Sequence, residues 1–317
     1  PPFLAQTQYY DGSTWTELAD MATARGRMSG GGTTTAGVMF GGSPPGGINA
    51  TEEWNSSPTF NPFNQGQVYY NSTANAFKIT MSAIPGGAWA SGGALSSPRG
   101  EGTGAGTQTA GIAVGGRLVP GSGATVVGVT ETYNGTAWTE VGDLTSARRA
   151  LAAATQGTTT ASLVFGGDAT GSPTFRDLCE SYNGSTWTEV GDLTITKESG
   201  AGAGTQTAAL SFGGDTDPEP TLTANMQSWN GTSWTDSTSI NTARTQLGGC
   251  GISTAALAFG GLTPPATGAT ESWNGSAWTE VADLNTARNK MGDAGSSTAA
   301  ISMGGTPFGA LTEIWDG

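Results

Sequence analysis

The chain has no histidine in its 317 residues. That absence removes the commonest general base near neutral pH and the commonest transition-metal ligand together, and much catalytic chemistry goes with them. Cysteine is scarce as well. Cys179 and Cys250 stand at different places in different repeats of the sequence, so no structural logic joins them, and two free buried thiols are expected. Charge is sparse at 12% of residues, and 25 acids against 12 cations leave a net charge of -13, which disfavours nucleic acid and anionic membrane as partners. No apolar run approaches the ~20 residues that a membrane-crossing helix needs, so membrane insertion is not expected.

What the chain does have is one phrase written repeatedly. "TYNGTAWTEVGDL" from Thr132, "SYNGSTWTEVGDL" from Ser181, "SWNGTSWTDSTSI" from Ser228 and "SWNGSAWTEVADL" from Ser272 are near copies, with a variant "YYDGSTWTELADM" from Tyr9. Trp15, Trp89, Trp138, Trp187, Trp234 and Trp278 are each followed ten residues later by a cation: Arg25, Arg99, Arg148, Lys197, Arg244 and Arg288. Six apolar runs end in a glycine pair, from Gly41 and Gly42 to Gly304 and Gly305. An acid or amide (Glu52, Glu131, Glu180, Gln227, Glu271, Glu313) lies two residues before the aromatic of each third strand. Regularly placed Trp, Val, Leu and Phe argue for packed β-structure in spite of the 52 glycines.

Within one unit, "RALAAATQG" from Arg149 reads as a first strand, "TTASLVFGG" as a second, "FRDLCESY" as a third and "STWTEVGDL" as a fourth. The Asn-Gly between third and fourth predicts a type I′ hairpin with positive φ at both central residues. Each unit is then a four-stranded antiparallel meander that cannot bury its two faces alone, so neighbours must stack, and a stack that closes is a β-propeller. The glycine pair, the Glu before an aromatic, the Trp and the following "SAR" or "SPR" resemble the kelch repeat family. The resemblance spans nearly the whole chain except residues 56–86. It implies a single all-β domain over residues 1–317, a six-bladed kelch-type propeller of four-stranded antiparallel blades. The N-terminal strand, residues 13–20, is expected to complete the last blade, formed by residues 289–315, and so to close the ring.

The uneven Trp spacing places an insertion, residues 56–86, in the third-to-fourth strand loop of the first blade. Within it "QGQVYYNSTANAFKIT", residues 65–80, reads as its own hairpin and resembles segments of tail-fibre and structural proteins of bacteriophages, cyanophages especially. Its apolar side chains Phe60, Phe63, Tyr69, Tyr70 and Phe77 are candidates for docking on another subunit or virion protein.

Six equivalent Glu–cation pairs suit scaffolding better than chemistry, since an active site needs one asymmetric constellation. The Trp and Tyr rows read as packing between sheets. "DTDPEP", residues 215–220, reads as an exposed acidic loop. The positions that differ are more informative. In kelch-like domains the residue two beyond the repeat cation points into the channel mouth. Here that is Arg27, Glu101, Ala150, Ser199, Gln246 and Lys290, a chemically mixed set framed by proline-stiffened second-to-third strand loops. No nucleophile with a base and no carboxylate pair is legible, so catalysis, a cofactor and a bound metal are not expected. The expected function is a structural or attachment module of a phage virion, associated with other virion proteins or with itself, and meeting a host surface protein or glycan through the mouth. The alternative is a cellular or secreted kelch-type interaction scaffold.

Overall fold

A computed structural model describes residues 7–10, 15–18, 29–32, 36–42, 51–55, 68–71, 76–79, 88–118, 125–169, 175–217, 221–306 and 312–315. The described residues form β-structure, and no helix among them is long and apolar enough to cross a membrane. Among the described residues, five four-stranded antiparallel sheets and the three-stranded sheet that ends at Trp315 follow each other along the chain, with a second three-stranded sheet and three two-stranded ones beside them. Sheet I comprises Ser29–Gly32, Ala36–Phe40, Thr51–Asn55 and Ala88–Ser91, and sheet II comprises Thr103–Thr107, Ala110–Val114, Thr130–Tyr133 and Trp138–Glu140. Sheet III comprises Ala152–Ala153, Ser162–Phe165, Cys179–Tyr182 and Trp187–Glu189, and sheet IV comprises Ala201–Thr205, Ala208–Phe212, Met226–Trp229 and Trp234–Ser237. Sheet V comprises Gly248–Ile252, Ala255–Phe259, Thr270–Trp273 and Trp278–Val281, and sheet VI comprises Gly292–Gly295, Ala300–Met303 and Thr312–Trp315.

The sheets bury their faces on each other. Between sheets II and III, Ile112, Val114 and Leu144 pack with Val164, Tyr182 and Trp187, and the same pairing of neighbours recurs from sheet I to sheet VI. The fourth-strand Trp meets the second-strand Phe of the sheet before it edge-on: Trp138 on Phe40 at 4.7 Å, Trp234 on Phe165 at 4.8 Å and Trp278 on Phe212 at 5.1 Å. Such contacts add to the burial of two large aromatic surfaces, so the regular Trp spacing is a packing register. Both cysteines are free and buried.

The glycine pair has a concrete task. Gly166 and Gly167 adopt φ of +67° and +97°, the Gly167 N–H donates to the Lys197 carbonyl at 2.9 Å, and a Cβ on Gly166 would lie 2.7 Å from that carbonyl oxygen. The equivalent bond runs from Gly42 to Arg99, Gly116 to Arg148, Gly214 to Arg244 and Gly261 to Arg288. Each second strand is thus tied to the repeat cation that opens the next sheet, at a distance that only glycine permits.

Two expectations need correction. Among the described residues the non-glycine positive-φ positions do not include Asn134, Asn183, Asn230 or Asn274, so the Asn-Gly loops are not type I′. Tyr133 pairs with Trp138 across a four-residue loop, in which Asn134 Oδ1 accepts the N–H groups of Thr136 and Ala137 at 3.0 and 2.9 Å. The asparagine side chain supplies the turn's acceptor, and only the glycine turns left-handed. At the N-terminus, Trp15–Leu18 pairs with Thr7–Tyr10 and is not hydrogen-bonded into sheet VI, which remains three-stranded among the described residues. Thr7–Tyr10 is the nearer of the two to Thr312–Trp315. The local hairpin, separated by "DGST", keeps its own partner ahead of one some 300 residues away. The insertion does form a hairpin, Val68–Asn71 against Ala76–Ile79, between the third and fourth strands of sheet I. Phe60 and Phe63 lie outside the described residues.

Candidate functional site

The repeat cation and acid are brought together as internal staples. Arg99 meets Glu131 at 2.7 Å, Arg148 meets Glu180 at 2.7 Å and Arg244 meets Glu271 at 2.8 Å, all with side chains at most 4% exposed. The second oxygen of each carboxylate accepts the backbone N–H three residues before the cation, from Ser96, Thr145 or Asn241 at 2.6–2.8 Å. Sheet IV departs from this pattern in both partners. Lys197 replaces Arg and donates to the Ser211 carbonyl at 3.2 Å, while Gln227 replaces Glu and accepts from the Thr194 N–H at 3.1 Å. Complete burial pushes the Lys197 pKa down to about 7, against a weak opposing pull from Asp236.

Beyond each staple the chain turns through a left-handed residue. Glu101, Ala150, Ser199, Gln246 and Lys290 have φ between 51° and 60°. Their backbones form a belt across successive sheets: the Ala150 N–H donates to the Glu101 carbonyl at 2.7 Å, Ser199 to Ala150 at 2.8 Å, Gln246 to Ser199 at 2.7 Å and Lys290 to Gln246 at 3.0 Å. All five line one cavity of about 330 Å³. Arg27, the sixth member of the set, lies outside the described residues.

The second-to-third strand loops begin beside this cavity. Arg117–Leu118 pairs with Arg99–Gly100, and Asp215–Thr216 pairs with Lys197–Glu198 and with Thr221–Leu222. Asp168, Leu262 and Thr306 bridge to Arg149, Thr245 and Asn289. "DTDPEP" is therefore only partly the exposed acidic loop expected. Asp217 is exposed, but Asp215 is buried and accepts from the Thr245 hydroxyl at 2.7 Å, because the strand pairing turns it inward.

Sequence reasoning did not single out Arg149 or Glu198, two charged residues that line the cavity. Glu101 bridges two guanidiniums, Arg117 at 3.0 Å and Arg149 at 2.7 Å, and Arg149 also holds Asp168 at 2.7 Å. Arg149 and Glu198 each sit one residue before a position that was singled out, and that adjacency was the available signal. Glu198 lines the cavity, and burial, reinforced by Asp168, pushes its pKa up to about 7. Its Oε2 and the Oε1 of Gln246 have no hydrogen-bond partner among the described residues. The rim thus combines a matched charge cluster on one side with underused acceptors on the other.

Stacked four-stranded antiparallel sheets of this kind define a β-propeller. The chain is similar to a solved structure of YjhT, with a TM-score of 0.68 over 94% of this chain and 95% of that one. Sequence identity is 12%, so the likeness is one of fold. No protein-family model matches the chain, and no curated protein matches it in sequence.

Proposed function

We propose that this protein is a closed six-bladed propeller acting as a non-enzymatic recognition module, a structural or attachment component of a phage particle that binds a protein or glycan at the channel mouth. One observation carries the binding reading: five equivalent residues from five successive repeats line one cavity, and they are Glu, Ala, Ser, Gln and Lys. The repeated side chains are consumed in packing and stapling, whereas this chemically varied ring is available for recognition.

Closure is supported by the neighbours of sheet I. Ser29–Gly32 lies beside both Thr103–Thr107 and Gly292–Gly295, and a Cβ on Gly30 would sit 3.1 Å from the Met303 methyl of sheet VI. The N-terminal hairpin stands against Thr312–Trp315. A ring joined there would leave few free sheet edges. The absence of catalysis is supported by the lack of histidine and by the engagement of Glu101 and Asp168 with guanidiniums. The virion setting rests on the residue 65–80 segment and its likeness to phage structural proteins.

The test has two arms. Wild type and a Glu101→Ala/Lys290→Ala variant are screened on glycan and protein arrays, with hydrolysis followed in parallel. Binding that survives the double variant refutes the mouth reading, and turnover of a bound glycan refutes the non-enzymatic one. Antibody labelling of imaged particles locates the chain, and its absence from particles refutes the virion reading in favour of a cellular scaffold.

A further inference from the structure

The mouth cavity continues into a second chamber of about 120 Å³. The two share Gly102, Leu151, Gly200, Leu247 and Met291, of which the three large side chains form an apolar collar. Below the collar the walls are the first strands, and the repeat position two residues further on is Gly30, Gly104, Ala153, Gly202, Gly249 and, in sheet VI, Asp293. Among the described residues, Asp293 is the one charged side chain in that chamber's lining. It breaks the repeat at the place where the others hold no more than a methyl group.

Asp293 has no cation for a partner among the described residues. Its Oδ2 accepts the Gly249 N–H from the neighbouring first strand at 2.6 Å, and backbone N–H groups are what offset the desolvation of this partly buried residue. Burial wins, pushing its pKa up to about 6. A carboxylate in such a place is a charge awaiting its counter-charge.

We propose that the collar and Asp293 form a site for an unbranched aliphatic ammonium, whose stem lies against Leu151, Leu247 and Met291 and whose head meets the Asp293 carboxylate. The inference rests on the mouth being the recognition surface, and it names the chemistry recognised there. An inorganic cation would satisfy the charge and ignore the collar. A lysine-like group satisfies both, since it carries a compact ammonium on a slim aliphatic stem. The rim guanidiniums of Arg117 and Arg149 are matched by Glu101 and Asp168, and the net charge of -13 favours arrival of cations. The ammonium comes either from a lysine of a partner protein or from a free alkylamine.

The full chain, labelled on its methionine methyls, is titrated with n-butylammonium, Nα-acetyl-lysine amide and butanol, and the Met291 signal is identified with Met291→Leu. The expected result is a saturable Met291 shift with an amine and none with butanol at the same concentrations. Asp293→Asn and Asp293→Ala, the latter matching Ala153, should weaken binding about thirtyfold or more. Saturation by both amines supports a partner lysine, and saturation by n-butylammonium alone supports a free amine. No saturable shift, or undiminished binding by both Asp293 variants, overturns the site. If array binding still depends on Glu101 and Lys290 when this happens, the ammonium site falls alone; if neither is seen, the mouth reading falls with it.

Discussion

Replacing Arg148 by Met removes a guanidinium that makes three bonds at once: to the carbonyls of Gly166 and Leu178 at 2.7 and 2.8 Å, and to Glu180 Oε1 at 2.7 Å. Both side chains of the ion pair are essentially inaccessible, at 0% and 1% exposure. Among the described residues, the substitution strands the Glu180 carboxylate with only the Thr145 N–H and hydroxyl as donors. Leaving one partner of a buried pair uncompensated costs about 3–5 kcal/mol, and losing the donor to the Gly166 carbonyl adds about 1 kcal/mol, while the Leu178 carbonyl keeps the Gly166 N–H at 3.0 Å. A loss of about 5 kcal/mol is therefore expected, a large part of the stability of an ordinary domain. Adding Glu180→Leu removes the stranded charge, so the double variant should recover about 2–3 kcal/mol of that loss. The chain itself supplies a milder exchange. Arg148→Lys with Glu180→Gln copies into sheet III the pair that sheet IV uses, and it should cost clearly less than Arg148→Met. Urea unfolding followed by Trp fluorescence measures all of these, with the m-value confirming that the same surface unfolds. A loss below about 1 kcal/mol for Arg148→Met at unchanged m, or no coupling between positions 148 and 180, refutes the view that these pairs hold the start of each sheet.

Three further outcomes can be measured on the same samples. Lys197 has a folded pKa near 7, below its ordinary value of 10.5, so its protonation opposes folding and stability should rise as pH goes from 7 toward 10; Lys197→Met should flatten that rise, and an unchanged profile contradicts it. Asp293 has the opposite sign. Its pKa is raised from 3.8 to about 6, so the carboxylate costs stability above pH 4, and the stability of Asp293→Asn relative to wild type should improve by on the order of 2 kcal/mol between pH 4 and pH 7. Ala150 carries a Cβ at φ +51°, so Ala150→Gly should stabilise by about 1 kcal/mol and Ala150→Val should destabilise. Thermal melts that rank Val above Gly would show that the left-handed belt carries no strain.

Much of the architecture was legible because its causes are local and repeated. Alternating apolar residues, a glycine pair and a Trp at near-constant spacing mark strands and their ends wherever they occur, so the order of elements in each sheet followed from pattern alone. The cavity positions came from the kelch resemblance, which points to the residue two beyond the repeat cation, and five of the six line one cavity. Local chemistry also limited the reading. Asn-Gly permits a type I′ turn, yet the Asn134 side chain accepts two backbone N–H groups and fixes a four-residue loop instead. "STWTEL" was expected to pair with the far end of the chain, and pattern alone gave no weight to the adjacent segment with which Trp15–Leu18 pairs.

The sequence by itself determined which side chains are scaffold and which vary, because that distinction is written in repetition. The tertiary structure alone decided what the varying residues meet. Arg149 beside Glu101, Lys197 sealed away with a carbonyl as its partner, and Asp293 facing a chamber walled by glycine and alanine are juxtapositions of residues distant along the chain. Such encounters depend on how sheets are rotated and stacked, and burial and electrostatics act only on groups that the fold has already brought together.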